Sequence, residues 1–359
     1  MSRRDVLRAG AGFGALAVLG PLLAACSDPS EERVRFLNWQ DYIDPEVLRR
    51  FADETGLSVA YDTYASNDEL ADRLALSGVA RRRGRAPVTA DLVVPSDNLF
   101  RRLLDEDRVQ ALDRDVVTDA LLANLAPEFR ELEVDPGNRY SIPWATGTTG
   151  IGYDRTVFAE PPDWEVFLDE EHRRRMTLLD ERREAFAAAL FSLGEDPNST
   201  DPAVVSAAAD RLAEMQAIIR GFDSAGYLDA LAAGELVAAQ AFSTDLLQAR
   251  RRNPDLEFVI PEAGGTRWID LLAVPDDAPN PQGANRLVAF VLDPEISALN
   301  AVQNQVDTGN AAARDEVPAS LLADPVVYPP PDVEARLTFL DDLGDDEALY
   351  TEAWDELRA

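Results

Sequence analysis

The sequence predicts an α/β fold of two lobes that close like a clamp and are joined by two crossing strands. Three observations carry this expectation. Residues 34–96 alternate strand and helix signals in the β-α-β-α-β order of a parallel sheet. Tyr140 to Tyr153 is a long apolar run broken by small residues, suited to a strand that leaves one lobe for the other. Trp268 to Val274 is a second apolar run, placed after a more helical stretch, where a returning strand belongs. The chain has 359 residues, enough for two cores. The first lobe is expected over 33–146 plus 273–308 and the second over 147–272 plus 309–359, after a leader over 1–26.

In order along the chain, Val34-Arg35-Phe36-Leu37 reads as a strand. Asp44 to Thr55 reads as a helix, with Val47, Leu48 and Phe51 at helical spacing and Gly56 as its stop. Leu57 to Tyr64 alternates as a strand, and Ser66-Asn67-Asp68-Glu69 has the form of a capping box. The run Arg81-Arg82-Arg83-Gly84-Arg85 reads as an exposed loop, and Asp91 to Ser96 as a buried strand ending in a turn. Gly147, Gly150 and Gly152 are no phosphate loop, because no helix start follows them. Asp180 to Leu193 reads as an amphipathic helix with Ala185, Phe186, Ala189 and Leu190 inward. Helices follow at Ala203 to Phe222 and at Tyr227 to Ala233, the latter closed by Gly234. Leu236 to Ala241 and Leu256 to Ile260 read as strands, with a helix opening at Ser243-Thr244-Asp245 between them. Asn285 to Val291, Pro294 to Val302, Val333 to Leu340 and Glu347 to Leu357 read as helices.

The leader carries Ser2-Arg3-Arg4-Asp5-Val6-Leu7, which resembles a twin-arginine export signal. Its apolar stretch is short for a membrane span and ends at Leu23-Ala24-Ala25-Cys26, which resembles a lipobox. Cys26 is the sole cysteine, so no intrachain disulfide forms, and its place marks it for lipidation. The expected location is therefore the outer face of the cytoplasmic membrane, reached through a lipid anchor.

Charge excludes several function classes. Asp and Glu number 66 against 34 basic residues, all of them arginine, for a net charge of −32. Such a balance argues against nucleic acid and anionic lipid and favours cationic ligands. The one histidine, His172, precedes the basic run Arg173-Arg174-Arg175. No Ser/His/Asp arrangement, metal-ligand spacing or nucleophile elbow is visible, so neither catalytic residues, a metal nor a cofactor is expected. An enzyme would have to work with carboxylates alone.

Carboxylates instead recur beside aromatics at strand ends and helix starts. Asp41 lies between Trp39 and Tyr42, Asp245 follows Phe242, and Asp270 follows Trp268. Glu181 and Glu184 are three residues apart and share a helix face. This chemistry suits a flexible organic polycation. Carboxylates pair with ammonium groups at roughly 1.5–3 kcal/mol per charged hydrogen bond, and ring faces cover methylenes and add roughly 0.5–2 kcal/mol of cation–π attraction. Each acid also has a plain reading as a helix cap or surface charge, and at Asp245 both readings stay open.

Several motifs then coincide: Asn38-Trp39-Gln40-Asp41-Tyr42-Ile43, Asp91-Leu92-Val93-Val94-Pro95-Ser96, Thr148-Thr149-Gly150-Ile151-Gly152-Tyr153, Leu193-Gly194 running into Asp196-Pro197-Asn198-Ser199-Thr200, and Tyr328-Pro329-Pro330. In combination, nearly end to end, they resemble the spermidine/putrescine-binding proteins of polyamine ABC transporters, of the type II periplasmic-binding-protein fold. The resemblance implies that Asp41, Glu181, Glu184, Asp245 and Asp270 bind amines, that Trp39, Tyr42 and Trp268 form an aromatic box, and that Ser96 is a polar wall. Phe242 stands where the family usually carries a second Trp. Val306, Leu340 and Asn98 stand where it has a Tyr, a Gln and a further aromatic. The resemblance further implies a monomer that closes on a putrescine- or spermidine-like guest and presents the closed form to an ABC permease. The acids match better than the aromatic and amide contacts, so a different cationic amine, or a sensory role, is the alternative.

Overall fold

A computed structural model of the chain describes residues 33–40, 42–74 and 89–359. The leader with Cys26, the run Arg81 to Arg85 and Asp41 lie outside the described residues. Among the described residues no helix is long and apolar enough to cross a membrane.

β1 (Arg33–Trp39) pairs in parallel with β2 (Ser58–Tyr64) and β3 (Leu92–Val93). Between β1 and β2 runs α1 (Pro45–Thr55). Its start is fixed by Asp44, whose side chain accepts from Glu46 N at 2.8 Å, and by Pro45 at the first turn. Its end is fixed by Gly56 in the left-handed region at φ 74°, where the amide donates to the Ala52 carbonyl. Val47 and Phe51 are fully buried, worth roughly 1.5–3 kcal/mol for each such side chain. α2 (Asn67–Arg73) opens on the expected capping box, shifted by one residue: Glu69 N donates to Ser66 Oγ at 3.1 Å, while Glu69 Oε2 accepts from Ala65 N at 3.0 Å. α3 (Asp97–Asp105) follows β3.

The first crossing strand is β4 (Ser141–Asp154), buried over all but its last residue. The second lobe adds β5 (Met176–Thr177), α4 (Arg182–Leu193), α5 (Pro202–Ile218), α6 (Tyr227–Ala232), β6 (Ala238–Phe242), α7 (Ser243–Arg250) and β7 (Leu256–Val259). The return strand β8 (Gly265–Ala273) runs antiparallel to β4 from Ser141 opposite Ala273 to Thr149 opposite Thr266, with an irregularity between Pro143 and Ala145. α8 (Pro281–Val291) and α9 (Pro294–Asn304) complete the first lobe, and β9 (Leu337–Phe339) and α10 (Glu347–Leu357) close the chain. One sheet therefore runs through both lobes in the order β2-β1-β3-β8-β4-β6-β5.

One apolar core gathers Phe36, Phe51, Leu92, Leu103, Trp144, Leu271 and Leu287; another gathers Ile151, Trp164, Phe186, Leu190, Leu212 and Tyr350. The two expected crossing strands are thus adjacent antiparallel partners in one ladder.

Two expectations need correction. Asp180 to Leu193 is neither helical from its start nor amphipathic. The helix begins at Arg182 with Glu181 as N-cap, and Arg183 to Phe191 are all buried, because α4 is enclosed by α5, α10 and the sheet. Val333 to Leu340 is not a helix. One turn over Pro331–Glu334 gives way to β9, whose backbone pairs in parallel with Gly265 to Arg267. A three-residue strand shows no sequence period, and the open edge of β8 decides its conformation. The Asp196-Pro197-Asn198 motif holds this region: Asn198 Nδ2 donates to Phe339 O at 2.8 Å, and Asn198 Oδ1 accepts from Asp341 N at 2.9 Å and from buried Arg183 at 3.0 Å.

Candidate functional site: an acidic cleft between the lobes

The cleft is built from strand ends. Trp39 closes β1, and its indole N–H donates to the Val94 carbonyl at 2.9 Å. Tyr64, at the end of β2, donates its hydroxyl to the same carbonyl and packs on the Trp39 ring at 4.8 Å. Two side chains missed by the sequence motifs, Tyr64 and the Tyr61 hydroxyl bonded to Trp39 O at 3.1 Å, therefore fix the indole. Trp268 on β8 meets Phe242 edge-to-face at 6.0 Å and 89°. Its ring occupies space that only glycine leaves free: a Cβ on Gly147 would lie 2.4 Å from it. The Trp268 indole N–H is buried without a hydrogen-bond partner.

Asp270 sits across from Ser96, whose hydroxyl donates to it at 2.6 Å and so leaves α3 without a side-chain cap. The buried Tyr42 hydroxyl lies beside the same carboxyl with no aligned hydrogen bond of its own. Burial pushes Asp270 up to about 7, with Ser96 and Tyr42 pulling the other way. Burial, and then Asp270, raise the Tyr42 phenol well above its usual range. Asp245, in the first turn of α7, accepts from the Tyr227 hydroxyl at 2.8 Å. Tyr227 carried no signal beyond opening a short helix.

These groups line a chamber of about 700 Å³, part of it open to solvent. Trp39, Tyr42, Ser96, Phe242, Asp245, Trp268 and Asp270 all contribute to its wall, joined by Gln40, Thr244 and Gln248. Among the described residues no arginine lines it. Trp39, Ser96, Phe242 and Trp268 also border a second space of about 390 Å³, which holds Glu181 and Glu184. Glu184 accepts from Thr149 at 3.1 Å and from Thr266 at 2.9 Å, one threonine from each crossing strand. Burial raises it to about 7 against those two bonds. Glu181 accepts from the Asn67 amide at 3.1 Å, on the far side of the cleft, and burial and then Asp68 push it up. Beside it Arg182 pairs with Asp68 at 2.9 Å, so the lobes touch here.

Every candidate site residue that is described thus faces one of two adjoining chambers, with Asp270 and Asp245 at the larger and Glu181 and Glu184 at the smaller. Val306 is buried in the first core, while Leu340 and Asn98 border the smaller chamber. His172 packs edge-on to Phe158 at 4.9 Å, outside both spaces. Among the described residues no group of three potential metal ligands exists.

A two-lobed α/β clamp around such a cleft defines a solute-binding protein, and the chain belongs to the bacterial extracellular solute-binding protein family, whose profile matches residues 46–355. It is 32% identical over 348 residues to a spermidine/putrescine-binding periplasmic protein of Salmonella typhimurium, covering 96% of each chain. It is 32% identical to a putrescine-binding periplasmic protein of Escherichia coli, covering 86% of each. A solved structure described as a putative spermidine/putrescine ABC transporter from Listeria monocytogenes superposes with a TM-score of 0.84 at 31% identity, covering 91% of this chain and 99% of that one. The family resemblance drawn from the motifs is borne out, and the chain stands among binding proteins that act outside the cytoplasm rather than among enzymes.

Proposed function

We propose that this protein captures a polyamine of the putrescine and spermidine class between its lobes and delivers it to an ABC permease. The carrying observation is the larger chamber: two carboxylates, two indoles, a phenyl ring and two phenols surround a space with no arginine among its described wall residues. Carboxyls raised by burial lack a counter-charge, and a diammonium guest supplies one. The ligand-binding residues are Trp39, Asp41, Tyr42, Ser96, Phe242, Asp245, Trp268 and Asp270, with Glu181 and Glu184 at the second chamber. The guest bridges both lobes and shifts them towards the closed form that the permease reads. Similarity to the spermidine/putrescine- and putrescine-binding periplasmic proteins named above supports the substrate class.

The protein acts as a monomer held to the outer face of the cytoplasmic membrane by lipid on Cys26. Its lobes comprise 33–146 plus 273–308 and 147–272 plus 309–359. The two largest apolar cores support this division, although Trp268 to Leu272 pack with the first lobe and a smaller cluster joins Leu247 to Ala298, Ala301 and Ala313 across it. The test is a thermal melt with and without micromolar putrescine or spermidine. A ligand that binds only the folded state raises the midpoint; no shift with either amine removes the proposal.

A further inference from the structure

Asp97 was absent from every sequence motif, which stopped one residue short of it. It opens α3 next to Ser96 and lines the smaller chamber with Glu181 and Glu184. The two arginines of that chamber have acidic partners of their own, and its two glutamates, the amine ligands proposed above, already accept hydrogen bonds. Glu184 receives the Thr149 and Thr266 hydroxyls, and Glu181 receives the Asn67 amide. Arg183 is bound to Glu347 and Asn198, and Arg267 lies 3.6 Å from Glu334. Asp97 has no ion-pair partner among the described residues, and backbone groups of Asn98 and Ile269 lie near enough to its carboxyl to favour its charged form. It is half-buried and borders both this chamber and a further space of about 760 Å³ that Arg101 and Phe339 also line; crowding by protein atoms, with Asp270 nearby, raises it to about 8. Asn98 and Leu340, which border the same space, supply neither an aromatic face nor a long amide. The two chambers share the walls formed by Trp39, Ser96, Phe242 and Trp268, so they adjoin across those side chains.

We propose that Asp97 is a specificity-determining residue: it supplies the counter-charge for an ammonium that a guest too long for the larger chamber places beyond the rings, so that the protein prefers a triamine to a short diamine. This rests on the amine-binding reading above and adds a prediction that reading does not make. On this reading putrescine pairs within the larger chamber alone, whereas the third nitrogen of spermidine is the one that Asp97 meets.

The test is calorimetric titration of the unmutated protein and of Asp97→Asn with putrescine and with spermidine, at one pH and salt. Asparagine removes the charge and keeps an acceptor for the backbone amides. The expected result is a loss of about tenfold or more in spermidine affinity, the worth of one charged hydrogen bond, with putrescine affinity changed less than about threefold. Asp97→Glu, which keeps the charge, is expected to retain the spermidine preference, and it also serves if the asparagine variant does not fold. Equal losses for both amines, or no loss for either, overturn the assignment. Failure of the unmutated protein to bind either amine removes the functional reading itself, a result distinct from binding without discrimination.

Discussion

Replacing Asp270 by Asn has two consequences of opposite sign. Asp270 is 4% exposed, and burial lifts it from 3.8 to about 7. A raised carboxyl keeps its proton in the folded protein over a range where the unfolded chain has lost it. Stability is therefore full below the unfolded value and falls as pH rises from about 4 to about 7. A shift of about three units corresponds to a ceiling on the order of 4 kcal/mol lost by the empty protein once Asp270 ionises. Asparagine cannot ionise, keeps an oxygen for the Ser96 hydroxyl, and avoids that loss. Empty Asp270→Asn should therefore melt higher than the unmutated protein at pH 8 and no higher at pH 4. Its amine affinity should fall by about tenfold or more, because one charged partner is gone. Melts at both pH values, with calorimetric titration of putrescine at pH 8, read both effects. Unchanged affinity, or a variant less stable at pH 8, would refute the reasoning that this acid is held at a folding cost for the sake of a cationic guest.

Further perturbations probe other parts of the cleft. Amine affinity should drop as pH falls from about 8 to about 6, by up to tenfold per unit for each acid that must lose its proton, since Asp270 and Glu184 titrate near 7 and Asp97 near 8; a flat profile between those limits contradicts the role of these carboxyls. Trp39→Ala should weaken long amines by about threefold to thirtyfold through loss of the ring face, and a neutral result in titration removes the aromatic contribution. Gly147→Ala should displace the Trp268 ring, lowering both melting temperature and amine affinity, because the new methyl would lie 2.4 Å from it. Arg182→Gln should cost at most about fivefold in affinity, because Asp68, its partner across the cleft, is half exposed and such pairs contribute roughly 0–1 kcal/mol, while its other partner Glu347 lies in its own lobe; a hundredfold loss would show that the rim contact, rather than the chambers, dominates closure.

Much of the fold was legible because its signals are local. Asp44-Pro45 and Gly56 mark the ends of α1 by capping chemistry that needs no tertiary partner. The crossing strands were legible because continuous apolar runs with small residues have few alternatives. Legibility failed where a distant neighbour decides. Leu337 to Phe339 become a strand only because β8 offers an edge. Glu181 reads as a helix-face partner of Glu184 until α2, far away in sequence, brings the Asn67 amide to it. The Asp245 carboxylate could have been a plain cap; the Tyr227 hydroxyl, contributed by a separate helix, holds it at the cleft wall. Asp97 carries no local signal because it lies just past the strand motif that ends at Ser96, and its environment comes from β8 and the second lobe.

Convergence of separated carboxylates on one multiply charged guest is measured most directly by titrating the protein at pH 8 with spermidine and with uncharged 1,8-octanediol, which has a similar span. One equivalent of spermidine binding at micromolar concentration or below, with no detectable heat from the diol, is the expected result. Comparable binding of the two, or none by spermidine, would contradict it.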